Sequence, residues 1–476
     1  MKLRSACNSR RSLHAAAAAG AAVLLCACAD VSMKPYQRPD TPAKTGWAAT
    51  RSPPVAPAKL IEQDWWKGFG DPDLDGLVAR AVHDNVDLKI LAARTKVAGA
   101  QIDEARAGAL PTLDAGAGVS LEKSSGQRFT KQYSLGTQVN WDIDIWGGVA
   151  KGAEAQTAEF HASEADWRAG YLTLAAQVAT TYFQILQFDE QIDQQGKTLE
   201  KNRQILANYE AMQQQGLLPQ TRVLQQRAEI NRLSNDLIEL NRLRAISGNA
   251  LATLLGVPAG NFQLPTGALQ ARVQLPAVPE GLPSELLKRR PDVVAAEYRV
   301  LASYDMVGQA KLAQLPSISL TGRGGTSSFA LGSLLKSFSF GLLPSINFPI
   351  FDPAVKARLK TTQAGSEVSE QQYRKVVMDA FEEVENALVN LDAHRRQRIE
   401  LQQQSERLGI VAAQVEAQLK EGMVSQLDVF EAERSLLAAQ LALLANHQQV
   451  LADTVTLYKA LGGGWPVVDV RNAARD

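Results

Sequence analysis

The pattern of hydrophobic and polar positions divides each half of the chain into the same series of elements. Residues 73–109 and 284–314 predict amphipathic helices that end at Leu-Pro pairs, because proline stops a helix. Two strands are expected after each of these helices. The stretches 112–218 and 354–465 contain no proline, which favours long uninterrupted helices after the strands.

The second strand of each half shows the clearest alternation. From residue 133 to residue 145 the odd-numbered positions are apolar apart from Thr137, and the even-numbered positions are polar or glycine. A period of two is typical of a strand with two different faces. A similar pattern follows at 338–350, and the residues expected to face lipid are Leu135, Val139, Trp141, Ile143, Phe340, Ile346 and Phe348. A sheet packed on helices would alternate equally well, so the strands alone leave both arrangements open.

The helices predicted at 151–215 and 354–421 are too long for a compact globule. At 1.5 Å per residue, each would run about 100 Å. Turns are expected at 216–219 and 422–425, and a shorter helix returns after each turn. The predicted fold is therefore mainly helical, with the helices in a coiled-coil rod or tube.

The chain contains an internal duplication. Asp87 and the pair Leu110-Pro111 recur 205 residues later, and Gly216 and the pair Leu255-Gly256 recur 206 residues later. A repeat of this length is a duplicated half-molecule and is too long for a solenoid unit. The expected organisation is a first repeat, a Pro-rich connector, a second repeat of the same layout and a C-terminal tail, at 73–257, 258–283, 284–463 and 464–476.

The N-terminus predicts a targeting segment. Basic residues precede an apolar stretch at 15–25, which is shorter than the roughly 20 residues needed to cross a bilayer. The sequence Leu25-Cys26-Ala27-Cys28 resembles a bacterial lipobox, so residues 1–27 are expected to be a signal peptide and Cys28 to be acylated. In lipoproteins of this kind a residue other than Asp after the cysteine permits sorting to the outer membrane, and Ala29 stands there. Residues 28–72 would form a lipid-anchored segment, and an ordinary signal peptide is the alternative.

Composition and charge exclude several classes of function. Basic and acidic residues number 50 each, and removal of residues 1–27 leaves 46 basic against 50 acidic, so nucleic acid is not an expected partner. No cysteine follows Cys28, which excludes disulfides and catalytic thiols from the rest of the chain. No catalytic, cofactor or metal-binding motif is found, and an enzyme is not expected. The histidines and the acids Glu382, Glu383 and Glu385 are interpreted as solvated helix surface.

The strands favour a barrel shared between chains. Each chain supplies four strands of about 10–13 residues, the length of a membrane β-strand. Four strands cannot close a membrane barrel, since known barrels begin at about eight. The lipobox and the long helices favour a barrel completed by several identical chains over a sheet packed on helices.

Two stretches of the chain resemble signatures of a known family. Residues 65–74, Trp-Trp-Lys-Gly-Phe-Gly-Asp-Pro-Asp-Leu, and residues 281–292, which begin Gly-Leu-Pro-Ser and end Arg-Arg-Pro-Asp, are similar to outer-membrane efflux lipoproteins. These form the NodT/OprM-like branch of the TolC superfamily, and the likeness covers essentially all of the mature chain. The resemblance implies a homotrimer with a twelve-stranded β-barrel in the outer membrane of a Gram-negative bacterium and a twelve-helix α-barrel through the periplasm. It also implies two partners, a periplasmic adaptor and an inner-membrane transporter, the latter expected to be of the RND type.

The second turn carries the one polar group of residues for which a functional role is expected. Asp428 and Glu431 are three residues apart and share one face of a helix. On their own they are typical of solvated surface, but the resemblance implies that they line the periplasmic constriction. Their counterparts in the first repeat are Arg222 and Gln225. Arg222 could pair with a carboxylate of a neighbouring helix and hold the mouth shut, or it could be solvated.

The predicted function is the outer-membrane exit duct of a tripartite efflux system. A structural or adhesive coiled-coil lipoprotein without a pore is one alternative. The outer-membrane duct of a type I secretion system is the other.

Overall fold

The computed structural model describes residues 35–41, 46–48, 63–123, 125, 129–276 and 288–465. A 3-10 helix at Trp65–Phe69 precedes the first half. The main elements of that half are α1 (Pro72–Asp84), α2 (Val86–Ala107), β1 (Thr112–Glu122), β2 (Thr130–Ile143), α3 (Gly148–Gln214) and α4 (Gln220–Leu254). A short helix α5 (Leu269–Arg272) follows. The second half comprises α6 (Pro291–Leu312), β3 (Ser317–Ser328), β4 (Ser339–Asn347), α7 (Pro353–Lys420) and α8 (Gln426–Ala460).

The first predicted helix is wrong in one respect, because it is broken at Asn85. Asp71 caps α1 by accepting a hydrogen bond from the Asp73 amide at 2.9 Å, and Pro72 occupies the first helical position. Asn85 has an extended ψ of 131°, and its side chain accepts a hydrogen bond from the Leu88 amide at 2.9 Å. A residue that ends one helix and caps the next divides a single predicted helix into α1 and α2.

The two long helices lie where the proline-free stretches predicted them. α3 has 67 residues and α7 has 68, so each spans about 100 Å. Asp352 caps α7 by accepting from the Ala354 amide at 2.8 Å. Gly216 and Gly422 lie just after the ends of α3 and α7 with φ of 73° and 71°, a conformation that glycine adopts without steric cost.

The helices form a single layer with two free sides. Near the sheet, neighbouring helices contact each other in the order α2, α3, α6, α7. Farther from the sheet the order is α4, α3, α8, α7. α3 and α7 therefore run the full length of the helical layer. The shorter helices beside them cover only part of that length, α2 and α6 near the sheet and α4 and α8 farther from it. Within one chain, the described residues leave one side of α7 and the outer sides of α2 and α4 without a neighbouring helix.

The duplicated halves form equivalent junctions between helices. The Asn85 side chain donates to the carbonyl oxygen of Leu254 at 3.0 Å, and the Arg290 guanidinium donates to that of Ala460 at 3.2 Å. A glycine with positive φ follows each carbonyl, at Gly256 and at Gly462. A Cβ atom at Gly256 would lie 2.5 Å from the Asp84 carbonyl oxygen, so the close approach of the two segments requires glycine.

The signature stretch at residues 65–74 is part of the largest core cluster. Trp65, Trp66 and Phe69 are buried against α3 and α8. The Tyr182 hydroxyl of α3 donates to Asp71 at 2.7 Å, which satisfies a polar pair in the interior. These contacts thus attach the 3-10 helix to α3 and α8, in the middle of the helical layer.

Two of the acids near residue 383, interpreted above as solvated surface, also form contacts with other parts of the chain. Glu383 forms an ion pair of 2.8 Å with Arg290, whose side chain is buried. Glu385 accepts a hydrogen bond from the Ala48 amide at 2.8 Å. The segment before α1 crosses α6 and α7 here, and Arg38 also pairs with the fully buried Glu297. These acids therefore hold other segments of the chain in place.

One histidine departs from the surface interpretation, and a second has a partner on another helix. His447 on α8 is 7% exposed, and neither ring nitrogen has a hydrogen-bond partner among the described residues. His394 on α7 contacts Asp453 on α8 at 2.5 Å. His83 remains at the surface, with 86% of its side chain exposed.

Candidate membrane sheet and periplasmic mouth

The four strands form one antiparallel sheet in the order β1-β2-β3-β4. Residues directly opposite each other in adjacent strands lie on the same face. Val139 of β2 pairs with Leu113 of β1 and Gly322 of β3, and Gly322 pairs with Leu342 of β4. The same register places Gln138 with Asp114 and Arg323 on the opposite face. One face of the sheet is therefore apolar and the other is polar.

The register brings the predicted lipid-facing residues together. Leu135, Val139, Trp141 and Ile143 share the face on which Phe340 and Ile346 lie. Phe348 follows the end of β4. These side chains are at least partly exposed in a single chain, and Phe340 reaches 75%. The described helices do not cover this face, which argues against a sheet packed on helices.

Two tryptophans lie at the end of the sheet where the helices begin. The Trp141 indole donates to the carbonyl oxygen of Ala109 at 2.9 Å. The Trp146 indole donates to that of Pro316 at 2.7 Å. Both rings keep an apolar body beside the sheet while their N–H groups are satisfied, the amphipathic behaviour of tryptophan at a membrane interface.

The described residues contain neither a membrane-spanning helix nor a metal-binding cluster. None of the helices in this part of the chain is long and apolar enough to span a membrane. The same residues contain no group of three or more histidines, cysteines or acids that could hold a metal ion.

The predicted mouth residues lie at the starts of α4 and α8. Asp428 and Glu431 are both exposed. The Asp428 carboxylate accepts hydrogen bonds from the Ser425 hydroxyl at 2.6 Å and the Ser425 amide at 2.7 Å. These bonds hold the pKa of the Asp428 carboxyl below its usual value. Asp428 therefore has a local structural role at the helix start besides any role at a pore.

Arg222 lies close enough to Asp428 to act on it electrostatically. After the bonds from Ser425, the charge of Arg222 further favours the ionised form of Asp428 and so lowers its pKa. Burial raises the pKa of Tyr209 on α3, and Arg222 opposes that shift. Charges of opposite sign thus lie at equivalent positions of the two repeats.

Ser425 was missed as a functional residue, although its signal is present in the sequence. Ser-Gln-Leu-Asp at 425–428 is a serine followed three residues later by an acid, a pattern typical of a helix N-terminus. The expected acylation site, Cys28, lies outside the described residues.

Long helices in a single layer, joined to a sheet with one apolar and one polar face, define a membrane channel with a helical extension. A family model described as outer membrane efflux protein matches residues 77–257 and 282–463. The chain belongs to this family, which confirms the resemblance seen in the sequence.

Individual relatives agree with this assignment. The chain is 32% identical over 438 residues to the pyoverdine export outer membrane protein OpmQ of Pseudomonas putida, covering 88% of this chain and 92% of that protein. It is 30% identical to the probable outer membrane lipoprotein SilC of Salmonella typhimurium, covering 91% and 96%. The open state of the MtrE outer membrane channel of Neisseria gonorrhoeae superposes with a TM-score of 0.80 at 29% identity, covering 91% and 98%. The predicted function as an outer-membrane efflux channel is confirmed at this level.

Proposed function

We propose that three copies of this chain close one exit duct, which leads solutes from a periplasmic adaptor and an inner-membrane transporter of the RND type across the outer membrane. The observation that carries this proposal is the sheet, which has an apolar face and two unpaired edges. β1 has 11 residues and β4 has nine, and neither has an outer neighbour among the described residues of one chain. Long open edges of this kind promote association with further strands. Three sheets joined edge to edge would leave no edge open.

The free sides of the helical layer support association between copies. Exposed apolar residues on α7 include Val368, Val389 and Ile410, which are 21 residues apart. This spacing is three heptads, so the three side chains stay on one face of a supercoiled helix. On the other side of the layer, α2 exposes Val86 and Val97. A contact between α7 of one copy and α2 and α4 of the next would bury both surfaces.

The orientation of the duct follows from the tryptophans and the predicted anchor. The helices leave the sheet at the end that carries Trp141 and Trp146, so this end faces the periplasm and the hairpins face outward. An acyl chain on Cys28 would attach the segment before α1 to the inner leaflet on the same side. One relative is named as a lipoprotein, which agrees with this anchor.

The starts of α4 and α8 would form the periplasmic mouth. Three chains would place six carboxylates there, from Asp428 and Glu431, and such a ring favours cations. Arg222 would act as the latch, since its attraction to Asp428 links the two turns of one chain.

Mass and conductance measurements on detergent-extracted protein test the duct. We expect a complex with the mass of three chains that conducts ions in a planar bilayer. A delipidated protein that behaves as a soluble elongated monomer would instead support the structural lipoprotein.

A further inference from the structure

The two ends of the apolar face differ in charge. The strands contain five charged residues, and four of them, Asp114, Glu122, Asp142 and Arg323, lie on the polar face by the strand register. The fifth is Lys131, which lies on the apolar face at the hairpin end of β2 and pairs with Leu121. No acid therefore shares this face with Lys131 among the described strand residues.

A second lysine continues the same face. Lys123 directly follows β1 and is two residues beyond Leu121, so it keeps the side-chain alternation of that strand. Residues related in this diagonal way across an antiparallel pair lie about 7–8 Å apart. Both lysines are exposed. The two lysines thus lie near each other on one face, at the hairpin end of an apolar surface.

Two aromatic residues lie beside the lysines. The Lys123 ammonium lies 5.0 Å from the centre of the Phe129 ring. Tyr133, two residues after Lys131, is half-buried on the same face. We name Lys123, Phe129, Lys131 and Tyr133 the outer collar.

The opposite border has a different chemistry. Trp141 and Trp146 lie there, and their N–H groups are already bound to carbonyl oxygens of this chain. The outer collar, in contrast, offers two cationic donors, and among the described strand residues no carboxylate lies on their face. Lysines at such a border extend their ammonium groups to the level of the lipid headgroups.

We propose that the outer collar binds a phosphorylated lipid headgroup of the external leaflet. The two ammonium groups pair with phosphate, and the rings contact the sugar or acyl part of the lipid. The inference rests on the proposed duct, because the hairpins face outward only in that arrangement. Three copies of the chain carry three such surfaces around the barrel.

Thermal dissociation of purified trimers tests this surface. The probes are diphosphorylated lipid A and the same glycolipid without its phosphates, each added to trimers in neutral detergent. We expect the phosphorylated lipid to raise the dissociation temperature more than its phosphate-free form. Lys123→Ala with Lys131→Ala should remove most of this difference, whereas Lys123→Arg with Lys131→Arg should retain it. Raised salt should reduce the difference, since the pairs are at the surface.

Arg323→Ala is the matched control, because it removes a cation from the polar face of the same sheet. This variant should retain the phosphate-dependent rise. The proposal is overturned if both lipids stabilise the wild type equally, or if the double alanine variant keeps the full rise. Trimers that conduct ions in either case leave the duct standing, while a failure to isolate any trimer counts against the duct itself.

Discussion

Val139 and Gln138 are neighbours in β2, yet their side chains lie on opposite faces of the sheet. Substitutions at these two positions therefore distinguish an effect of lipid contact from a general effect on the strand. We predict that Val139→Arg costs about 2–4 kcal/mol, because it places a charge near the middle of the bilayer. Gln138→Arg should be mild, since its side chain enters the polar face. The amount of trimer in outer-membrane fractions measures both effects, and equal tolerance would favour a sheet packed on protein.

Variants of the mouth residues distinguish the effect of charge from the effect of helix capping. Asp428→Ala with Glu431→Ala should weaken cation selectivity in planar bilayers at low salt, where charge effects are least screened. Ser425→Ala is the control, because it removes a hydrogen bond to Asp428 but leaves the carboxylate in place. We expect it to lower stability by about 1 kcal/mol without changing selectivity. Unchanged selectivity in the double variant would indicate that the two carboxylates are ordinary solvated surface groups.

Arg222 gives a separate prediction about closure. Arg222→Ala should raise the resting conductance, since it removes the charge that acts on Asp428 across the two turns. Arg222→Lys retains a charge at this position and should keep most of the closure. A resting conductance equal to that of the wild type in Arg222→Ala would remove the latch and leave the channel assignment intact.

At the scale of elements, α8 carries a titratable group in the interior of the helical layer. Burial, together with the nearby Arg398 charge, lowers the pKa of His447 to about 4. The unfolded chain binds this proton near pH 6.5, so the folded state is favoured above that pH and loses stability as the pH falls toward 4. The packing of α8 should therefore be weaker in mild acid.

Denaturation of the helical part at two pH values checks this expectation. Between pH 7 and pH 5, His447 should lower the free energy of unfolding by about 2 kcal/mol. His447→Leu should remove this contribution, because leucine does not titrate and fits an apolar contact between helices. His83→Gln is the matched control at an exposed histidine and should keep the wild-type pH dependence. A pH profile that is the same in His447→Leu and the wild type would contradict the assignment.

At the scale of the whole molecule, attachment to the membrane has two sources in this proposal, an acyl anchor and a shared barrel. We predict that Cys28→Ser impairs maturation while the trimers that form conduct as the wild type does, since the barrel supplies its own membrane contact. Mass spectrometry of the mature N-terminus is the direct measurement. An unmodified terminus, or a first residue other than Cys28, would refute the anchor.

Much of the architecture could be predicted from local periodicity. The alternation in β2 separates Val139 from Gln138 without knowledge of any partner strand, because side chains in a strand point to alternate faces. The proline-free stretches predicted α3 and α7, since a helix is limited mainly by residues that interrupt its backbone. The internal repeat then required that both halves contain the same elements.

The sequence by itself determined which elements form and which side of each strand is apolar, because those properties depend on residues close along the chain. Only the tertiary structure decided what each remaining side chain contacts. Glu385 meets the Ala48 amide across a sequence separation of 337 residues, and Arg222 acts on Asp428 from the other repeat. His447 resembles a surface histidine in sequence and is buried because α8 packs on neighbouring helices. A contact between distant residues is set by how whole helices and strands assemble, and no local pattern encodes that assembly.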